Sequence, residues 1–118
     1  MNKIINFEKA KIKNLINKFV QDKGMLLESE ILFSVIQFVF LHSDENVVQE
    51  PFEDLGPDVE LEHVFGGNRT RFAAAFRDLV NYWELTLFDE EIPENKEFET
   101  FTTMVDLCEF IDQKVKNL

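Results

Sequence analysis

Four stretches of the chain place apolar residues at the spacing of an amphipathic helix. In the first stretch the apolar positions recur every three or four residues and predict one buried stripe, formed by Ile12, Leu15, Ile16, Phe19 and Val20. Asn6 is the predicted N-terminal cap of this helix, and Gly24 is its predicted C-terminal glycine. The lysines between the apolar positions are expected to form a solvent-exposed face.

The second stretch, residues 29–42, is apolar on almost every side. Its β-branched and aromatic residues also suit a strand, so we use the spacing of the few remaining positions to choose between a helix and a strand. One narrow and mostly polar stripe recurs at intervals of four, three and four residues, formed by Glu30, Ser34, Gln37 and Leu41. We therefore predict a central helix that the other helices pack against on most sides, with a strand as the alternative.

The third helix is predicted to follow the pair Gly66-Gly67. Asn68 or Thr70 is its predicted cap, and the helical spacing of apolar residues continues to about Leu87. The same stretch around Gly66-Gly67 also allows an alternative, in which backbone N–H groups at the helix start bind an anion. Because no nucleotide-binding motif accompanies it, helix capping is the favoured interpretation.

The last helix is predicted to begin at Thr103, which forms a capping box with Asp106. Lys114 and Lys116 suit the negative C-terminal end of its dipole. Its expected buried stripe consists of Met104, Leu107, Cys108, Ile111 and Val115.

Two acidic segments separate these helices: the first acidic segment is residues 44–62 and the second acidic segment is residues 88–100. The first has eight acids and no Lys or Arg, and Pro51, Gly56 and Pro57 disfavour a long helix there. We expect a long loop with one short turn. The sequence therefore predicts an all-α, single-domain bundle of about four helices, residues 1–118, with two long acidic loops.

Charge narrows the functions that such a domain can have. The chain has 118 residues, with 12 Lys and Arg against 23 Asp and Glu, and a net charge of −11. The first 23 residues carry +4, so the remaining 95 carry −15. This balance argues against binding to nucleic acid or to an anionic membrane, because phosphates would be repelled.

Targeting signals and cysteine usage indicate a compartment. One cysteine excludes an internal disulfide framework. The start of the chain lacks the uninterrupted apolar stretch of a secretory signal, and the most apolar run, residues 31–41, is shorter than a membrane span. The expectation is a soluble, cytoplasmic protein.

Candidate catalytic and metal-binding residues are few. His63 lies among the acids Glu60 and Glu62, but the two histidines lack the spacing of a zinc site, so a solvated acidic loop is the favoured interpretation. Cys108 falls on the apolar stripe of the last helix and is interpreted as a buried hydrophobic residue rather than a nucleophile. The sequence selects no carboxylate pair for acid–base chemistry. We predict a protein that is not an enzyme and has no cofactor or metal.

Three short stretches resemble acyl carrier proteins. Residues 52–56 (Phe-Glu-Asp-Leu-Gly) resemble the loop before the prosthetic-group serine of that family. Residues 87–94, followed by residues 101–105, resemble its third-helix loop and the start of its last helix. The resemblance implies a related helical fold and binding to enzymes of lipid metabolism. No serine occurs after Ser43, so the attachment site of the family's phosphopantetheine arm is missing.

In size, acidity and lack of catalytic groups the chain is similar to bacterial immunity proteins. That similarity implies an inhibitor of a basic, nucleic-acid-cleaving toxin, acting as a monomer or weak homo-oligomer. The alternatives are a carrier-like protein, a DNA-mimic protein, or acidity that serves only solubility. Tyr82 and Trp83 are candidate aromatic anchors, although a core position for Trp83 is the favoured interpretation. The predicted partner-binding residues are Asp44, Glu45, Glu50, Glu53, Asp54, Asp58, Glu60, Glu62, Asp89, Glu90, Glu91 and Glu94.

Overall fold

Helices make up most of the part of the chain that the structure describes. The computed structural model describes residues 5–6, 8–91 and 94–118, and within these ranges it forms seven α-helices and no strand, apart from one isolated antiparallel bridge. The all-α prediction is confirmed. The helices are α1 (Lys9–Lys23), α2 (Ser29–His42), α3 (Pro51–Asp54), α4 (Leu61–Val64), α5 (Arg69–Tyr82), α6 (Glu97–Thr100) and α7 (Met104–Lys116).

Helix α1 ends as predicted but begins later. Gly24 adopts the left-handed backbone with φ of +63°, and its N–H donates to the Val20 carbonyl at 2.8 Å. The predicted cap Asn6 is wrong, because the extended residue directly before the helix is Glu8. Val20, predicted to be buried, is 40% exposed, whereas the other positions of its stripe are buried or half-buried.

Helix α2 lies at the centre of the fold, and its bounds match the prediction. It contacts α1, α3, α5 and α7, so the strand alternative is wrong. The predicted polar stripe is wrong at Ser34, which is buried. Its hydroxyl donates to the Ile31 carbonyl at 2.7 Å and accepts the Trp83 indole N–H at 2.9 Å, which satisfies the hydroxyl inside the core. Across the described ranges, no helix combines the length and the apolar character needed to cross a membrane.

Helix α5 has the predicted start and an earlier end. The Asn68 side chain accepts the backbone N–H groups of Thr70 at 2.9 Å and Arg71 at 3.3 Å, so Asn68 is the cap. The predicted continuation to Leu87 is wrong, because the helix ends at Tyr82.

The end of α5 is a Schellman turn built without glycine. Glu84 has a φ of +53°, its N–H donates to the Asn81 carbonyl at 3.2 Å, and the Leu85 N–H donates to the Val80 carbonyl at 2.9 Å. This position usually holds glycine, since a side chain is strained in the left-handed region. The sequence therefore lacks the usual signal for the helix end.

Replacing Glu84 with glycine is expected to raise the free energy of unfolding by about 1 kcal/mol, because glycine adopts the left-handed backbone without strain. Urea denaturation followed by circular dichroism measures the change. Glu84→Ala is the matched control, since it removes the same charge and keeps a Cβ. A glycine variant no more stable than the alanine variant would contradict this explanation.

Helix α7 begins at the predicted capping box. The Asp106 carboxylate accepts the backbone N–H groups of Thr102 at 3.1 Å and Thr103 at 3.0 Å. Its stripe is buried as predicted, except that Val115 is half-buried.

The two acidic segments contain more helix than the sequence predicted, which was one short turn in the first of them. The first contains α3 and the start of α4, and the second contains a 3₁₀ turn at Asp89–Glu91 together with α6. Apolar side chains of both segments enter the core between the acids. The buried anchors of the two segments are Val48, Leu55, Leu61 and Phe98, and Phe101 is buried directly after α6.

A cluster of phenylalanine rings ties both acidic segments to α5. Phe72 of α5 lies at its centre, with its ring centroid 5.7 Å from that of Phe65, 5.9 Å from Phe76, 5.8 Å from Phe98 and 5.7 Å from Phe101. Phe65 follows α4 directly. Phe98 lies within α6, and Phe101 follows α6 directly. The cluster therefore sets where both acidic segments stand on the helical scaffold.

Candidate functional site

Three of the eight acids in the first acidic segment stabilise its own fold. Asp44 accepts the backbone N–H two residues ahead at 2.9 Å. Asp54 accepts the two backbone N–H groups just before α3, at 3.0 and 2.9 Å. Asp58 forms an ion pair with Lys23 of α1. Because they have these intramolecular partners, these three are weaker candidates for contact with another protein.

The other five carboxylates of the first acidic segment are free. All five are exposed, and within the described part of the chain their side chains make no ion pair and no hydrogen bond. They form the free glutamate set, which consists of Glu45, Glu50, Glu53, Glu60 and Glu62. Water surrounds these carboxylates, and Lys11 attracts Glu50 and Glu53 without forming an ion pair with them, so all five remain available to a cationic surface.

Buried leucines and backbone hydrogen bonds to the start of α7 fix the backbone that carries the free glutamate set. Leu55 and Leu61 are completely buried beneath it. The Leu61 N–H donates to the Thr102 carbonyl at 2.9 Å, and the Met104 N–H donates to the Val59 carbonyl at 3.1 Å. These two bonds flank the bridge between residues 60 and 103 and join the segment to the start of α7. The glutamates therefore project from an ordered base.

Two lysines of α1 face the first acidic segment. Lys23 pairs with Asp58, which raises the pKa of its ammonium group, with a smaller contribution from Asp106. Lys11 pairs with Glu8 at 3.0 Å, and this pair raises its pKa, with Glu50 and Glu53 adding to the effect. The lysine face of α1 is exposed as predicted, but Lys11 and Lys23 interact with acids of the first acidic segment.

The second acidic segment is held to α7 by Glu91. Its carboxylate accepts the Phe88 backbone N–H at 2.9 Å and lies 2.5 Å from the Lys114 ammonium group. The bond from Lys114 contributes most to lowering the pKa of Glu91. The remaining predicted contact acids of this segment are exposed and have no ion pair or hydrogen bond among the described residues: Asp89, Glu90 and Glu94.

Arg69 joins the start of α5 to α6. Its guanidinium group lies 3.1 Å from a Glu97 oxygen and 3.0 Å from a Glu99 oxygen, and it donates to the Asn95 carbonyl at 2.9 Å. Hydrogen bonds to Glu99 and then Glu97 raise the pKa of Arg69, and the same contact lowers the pKa of Glu99. Sequence analysis assigned Arg69 no role, because its partners follow 28 and 30 residues later.

A depression of about 350 Å³ lies between the 3₁₀ turn and α7. Carboxylates from both elements line it: Glu90, Glu91, Asp106 and Glu109. The Phe101 and Phe110 rings complete its wall, with centroids 5.3 Å apart. Asp106 also contributes to raising the pKa of Lys23, the lysine that pairs with Asp58.

The two candidate aromatic anchors have different surroundings. Trp83 is half-buried, and its indole N–H donates to the buried Ser34 hydroxyl, which supports a core role. Tyr82 is 59% exposed, and its ring touches Phe38 and Trp83 edge to face. Tyr82 is therefore the aromatic side chain of the pair that is available for contact.

An apolar groove of about 340 Å³ runs along another face of α5. Its walls include Phe76, Val80 and Leu87, and its rim carries Arg77 and Glu94. Neither rim residue forms an ion pair with a described residue. An unpaired cation and an unpaired carboxylate at the same rim do not select one class of ligand.

The nucleophile and metal candidates are structural. Cys108 is completely buried, and this burial, with Asp112 nearby, raises the pKa of its thiol, so the group stays protonated and inaccessible. His42 lies 2.6 Å from the Asp78 carboxylate and links α2 to α5, a contact that sequence analysis missed. His63 is exposed. Among the described residues, no three histidine, cysteine or acidic side chains are grouped to hold a metal ion.

The loop before α5 has no free N–H groups for an anion. Gly66 donates its N–H to the His63 carbonyl at 3.0 Å, Gly67 donates to the Glu62 carbonyl at 2.7 Å, and Asn68 donates to Phe65 at 3.1 Å. Gly66 and Gly67 both have positive φ values, which suits this tight turn. These bonds favour the helix-cap interpretation of the loop over the anion-binding alternative.

No protein family, no characterised protein and no solved structure matches this chain. The function of the acidic surface therefore has to be inferred from its own charge, burial and contacts. The features that bear on it are the free glutamate set, the exposed acids of the second acidic segment and the exposed ring of Tyr82.

Proposed function

We propose that the chain is a non-enzymatic binding protein, an immunity-type inhibitor that covers the basic active-site surface of a nucleic-acid-cleaving toxin. One observation carries the proposal. The free glutamate set offers five exposed carboxylates without a cation partner in the described part of the chain. A surface of this kind is complementary to a basic protein surface.

The chemistry of nucleic-acid cleavage supplies a reason for such a partner. An enzyme that cleaves DNA or RNA must hold phosphates, so its active-site surface is basic. Opposite charge on an inhibitor steers the two proteins together, raises the association rate and disfavours partners of the wrong charge. An acidic protein can thus compete with nucleic acid for the same surface.

Order in the acidic segments supports high affinity. The free glutamate set stands on a backbone that Leu55 and Leu61 anchor in the core. A surface that is already ordered loses little conformational entropy when it binds. In this proposal the four longer helices act as a bundle that presents both acidic segments, and the protein works in the cytoplasm as a monomer or weak homo-oligomer.

Inhibition of a nuclease tests the proposal. The purified protein is immobilised and exposed to lysate of its own cells, and the bound fraction is eluted with salt and assayed for cleavage of plasmid DNA and of RNA. We expect the eluate to cleave one of these substrates. Adding the protein back at a one-to-one ratio is expected to reduce cleavage to background.

An unrelated protein of similar size and net charge is the control, because it carries acidity without this surface. The proposal fails if the eluate cleaves neither substrate. It also fails if the unrelated acidic protein inhibits as strongly, because acidity alone would then account for the effect.

Two other functions follow from the sequence: a carrier-like protein that binds enzymes of lipid metabolism, and a DNA-mimic protein. No contact or distance in the described ranges favours either of them over the inhibitor. Both remain predictions, and the identity of the enzyme activity in the eluate separates them from the inhibitor.

A further inference from the structure

The seam between α2 and α5 exposes an aromatic ring on a rigid support. Tyr82, the last residue of α5, is 59% exposed. Its ring centroid lies 5.5 Å from that of Phe38 on α2 and 5.2 Å from that of Trp83, both with edge-to-face geometry. Its hydroxyl makes no hydrogen bond with a described residue, so the polar end of the side chain is open.

The support beneath Tyr82 is fixed by a buried hydrogen bond. The Trp83 indole N–H donates to the Ser34 hydroxyl at 2.9 Å, and that hydroxyl donates to the Ile31 carbonyl at 2.7 Å. Rotation of the Trp83 side chain would break one of the two hydrogen bonds of the buried Ser34 hydroxyl, which is unfavourable. Tyr82 is therefore held in place before any partner arrives.

The surface next to Tyr82 is mainly acidic. One helical turn away, His42 lies 2.6 Å from Asp78. Beyond this contact a depression of about 460 Å³ is lined by Asp44 and Glu45 of the first acidic segment, together with His42 and Arg71. Arg71 is the only arginine or lysine among the residues that line it. His42, at the end of the seam, thus lies beside acids of the first acidic segment.

We infer that Tyr82 is the aromatic anchor by which the chain docks onto its basic protein partner, an inference that rests on the proposed function. The ring enters an apolar recess of the partner, while Glu45 faces a lysine or arginine beside that recess. A tyrosine suits this position because it has only two side-chain torsions to fix and offers both an apolar face and a hydroxyl. Such residues dominate the energy of protein interfaces.

The test is a titration of the nuclease fraction obtained as described above. Tyr82→Ala is expected to need about tenfold more protein than the unchanged chain for half-maximal inhibition. Tyr82→Phe keeps the ring and is expected to stay within about threefold, as a hydroxyl contributes less than the aromatic surface. Thermal unfolding of both variants checks that they are folded.

Leu26→Ala is the control, because Leu26 is an apolar residue with a 74% exposed side chain and lies outside the seam and outside both acidic segments. It is expected to inhibit like the unchanged chain. The inference is overturned if Tyr82→Ala inhibits normally, or if Leu26→Ala weakens inhibition as much. If the unchanged chain itself fails to inhibit, the proposed function falls, and the anchor falls with it.

Discussion

Replacing Phe72 with alanine is expected to lower the free energy of unfolding by about 3–5 kcal/mol. The side chain is completely buried and touches the rings of Phe65, Phe76, Phe98 and Phe101. Alanine would leave a cavity at the point where both acidic segments join α5. Guanidinium denaturation followed by circular dichroism measures the loss.

Two controls separate packing from the loss of any aromatic ring. Phe88→Ala removes an exposed ring and is expected to change the free energy of unfolding by less than about 0.5 kcal/mol. Phe72→Leu fills part of the cavity and is expected to lose less than Phe72→Ala. If Phe72→Ala were as stable as Phe88→Ala, the phenylalanine cluster would not be what holds the acidic segments to the scaffold.

Neutralising four members of the free glutamate set is expected to slow association with the basic nuclease about tenfold at low salt. The variant changes Glu45, Glu50, Glu53 and Glu62 to glutamine. Electrostatic steering is the reason, because long-range attraction raises association rates and charge removal acts mainly on that rate. Surface plasmon resonance at about 50 mM NaCl measures association and dissociation separately.

A second variant removes the same number of charges from other surfaces. It changes Asp22 to asparagine and Glu28, Glu30 and Glu84 to glutamine, all of which are exposed. Its association rate is expected to fall by less than about threefold, because its acids lie outside the first acidic segment. Equal slowing by the two variants would show that net charge, rather than the location of the acids, governs binding.

The helices could be predicted where one local rule decides them. The apolar stripes of α1 and α7, the Asn68 cap and the capping box at Thr103 depend on residues a few positions apart. The end of α5 could not be predicted, because its left-handed residue is Glu84 rather than glycine. Of the helical turns in the acidic segments only one was predicted, since each is about one turn long and an isolated turn carries little local signal.

The candidate surface could be predicted as a group of acids but not resolved into its members. Asp54 and Asp58 look like their neighbours in the sequence, yet the fold uses them for backbone and lysine contacts. Ser34 looked exposed by periodicity, although its partner Trp83 comes 49 residues later. Pairings at such separations follow from the tertiary fold, and no local pattern encodes them.

The association rate of the unchanged chain with the basic nuclease, measured from about 50 to about 300 mM NaCl, tests the central claim most directly. If the free glutamate set steers binding, the rate falls steeply, by about tenfold or more over this range, while the dissociation rate changes little. A rate that stays within about twofold across the range would contradict the claim that these exposed acids form the docking surface.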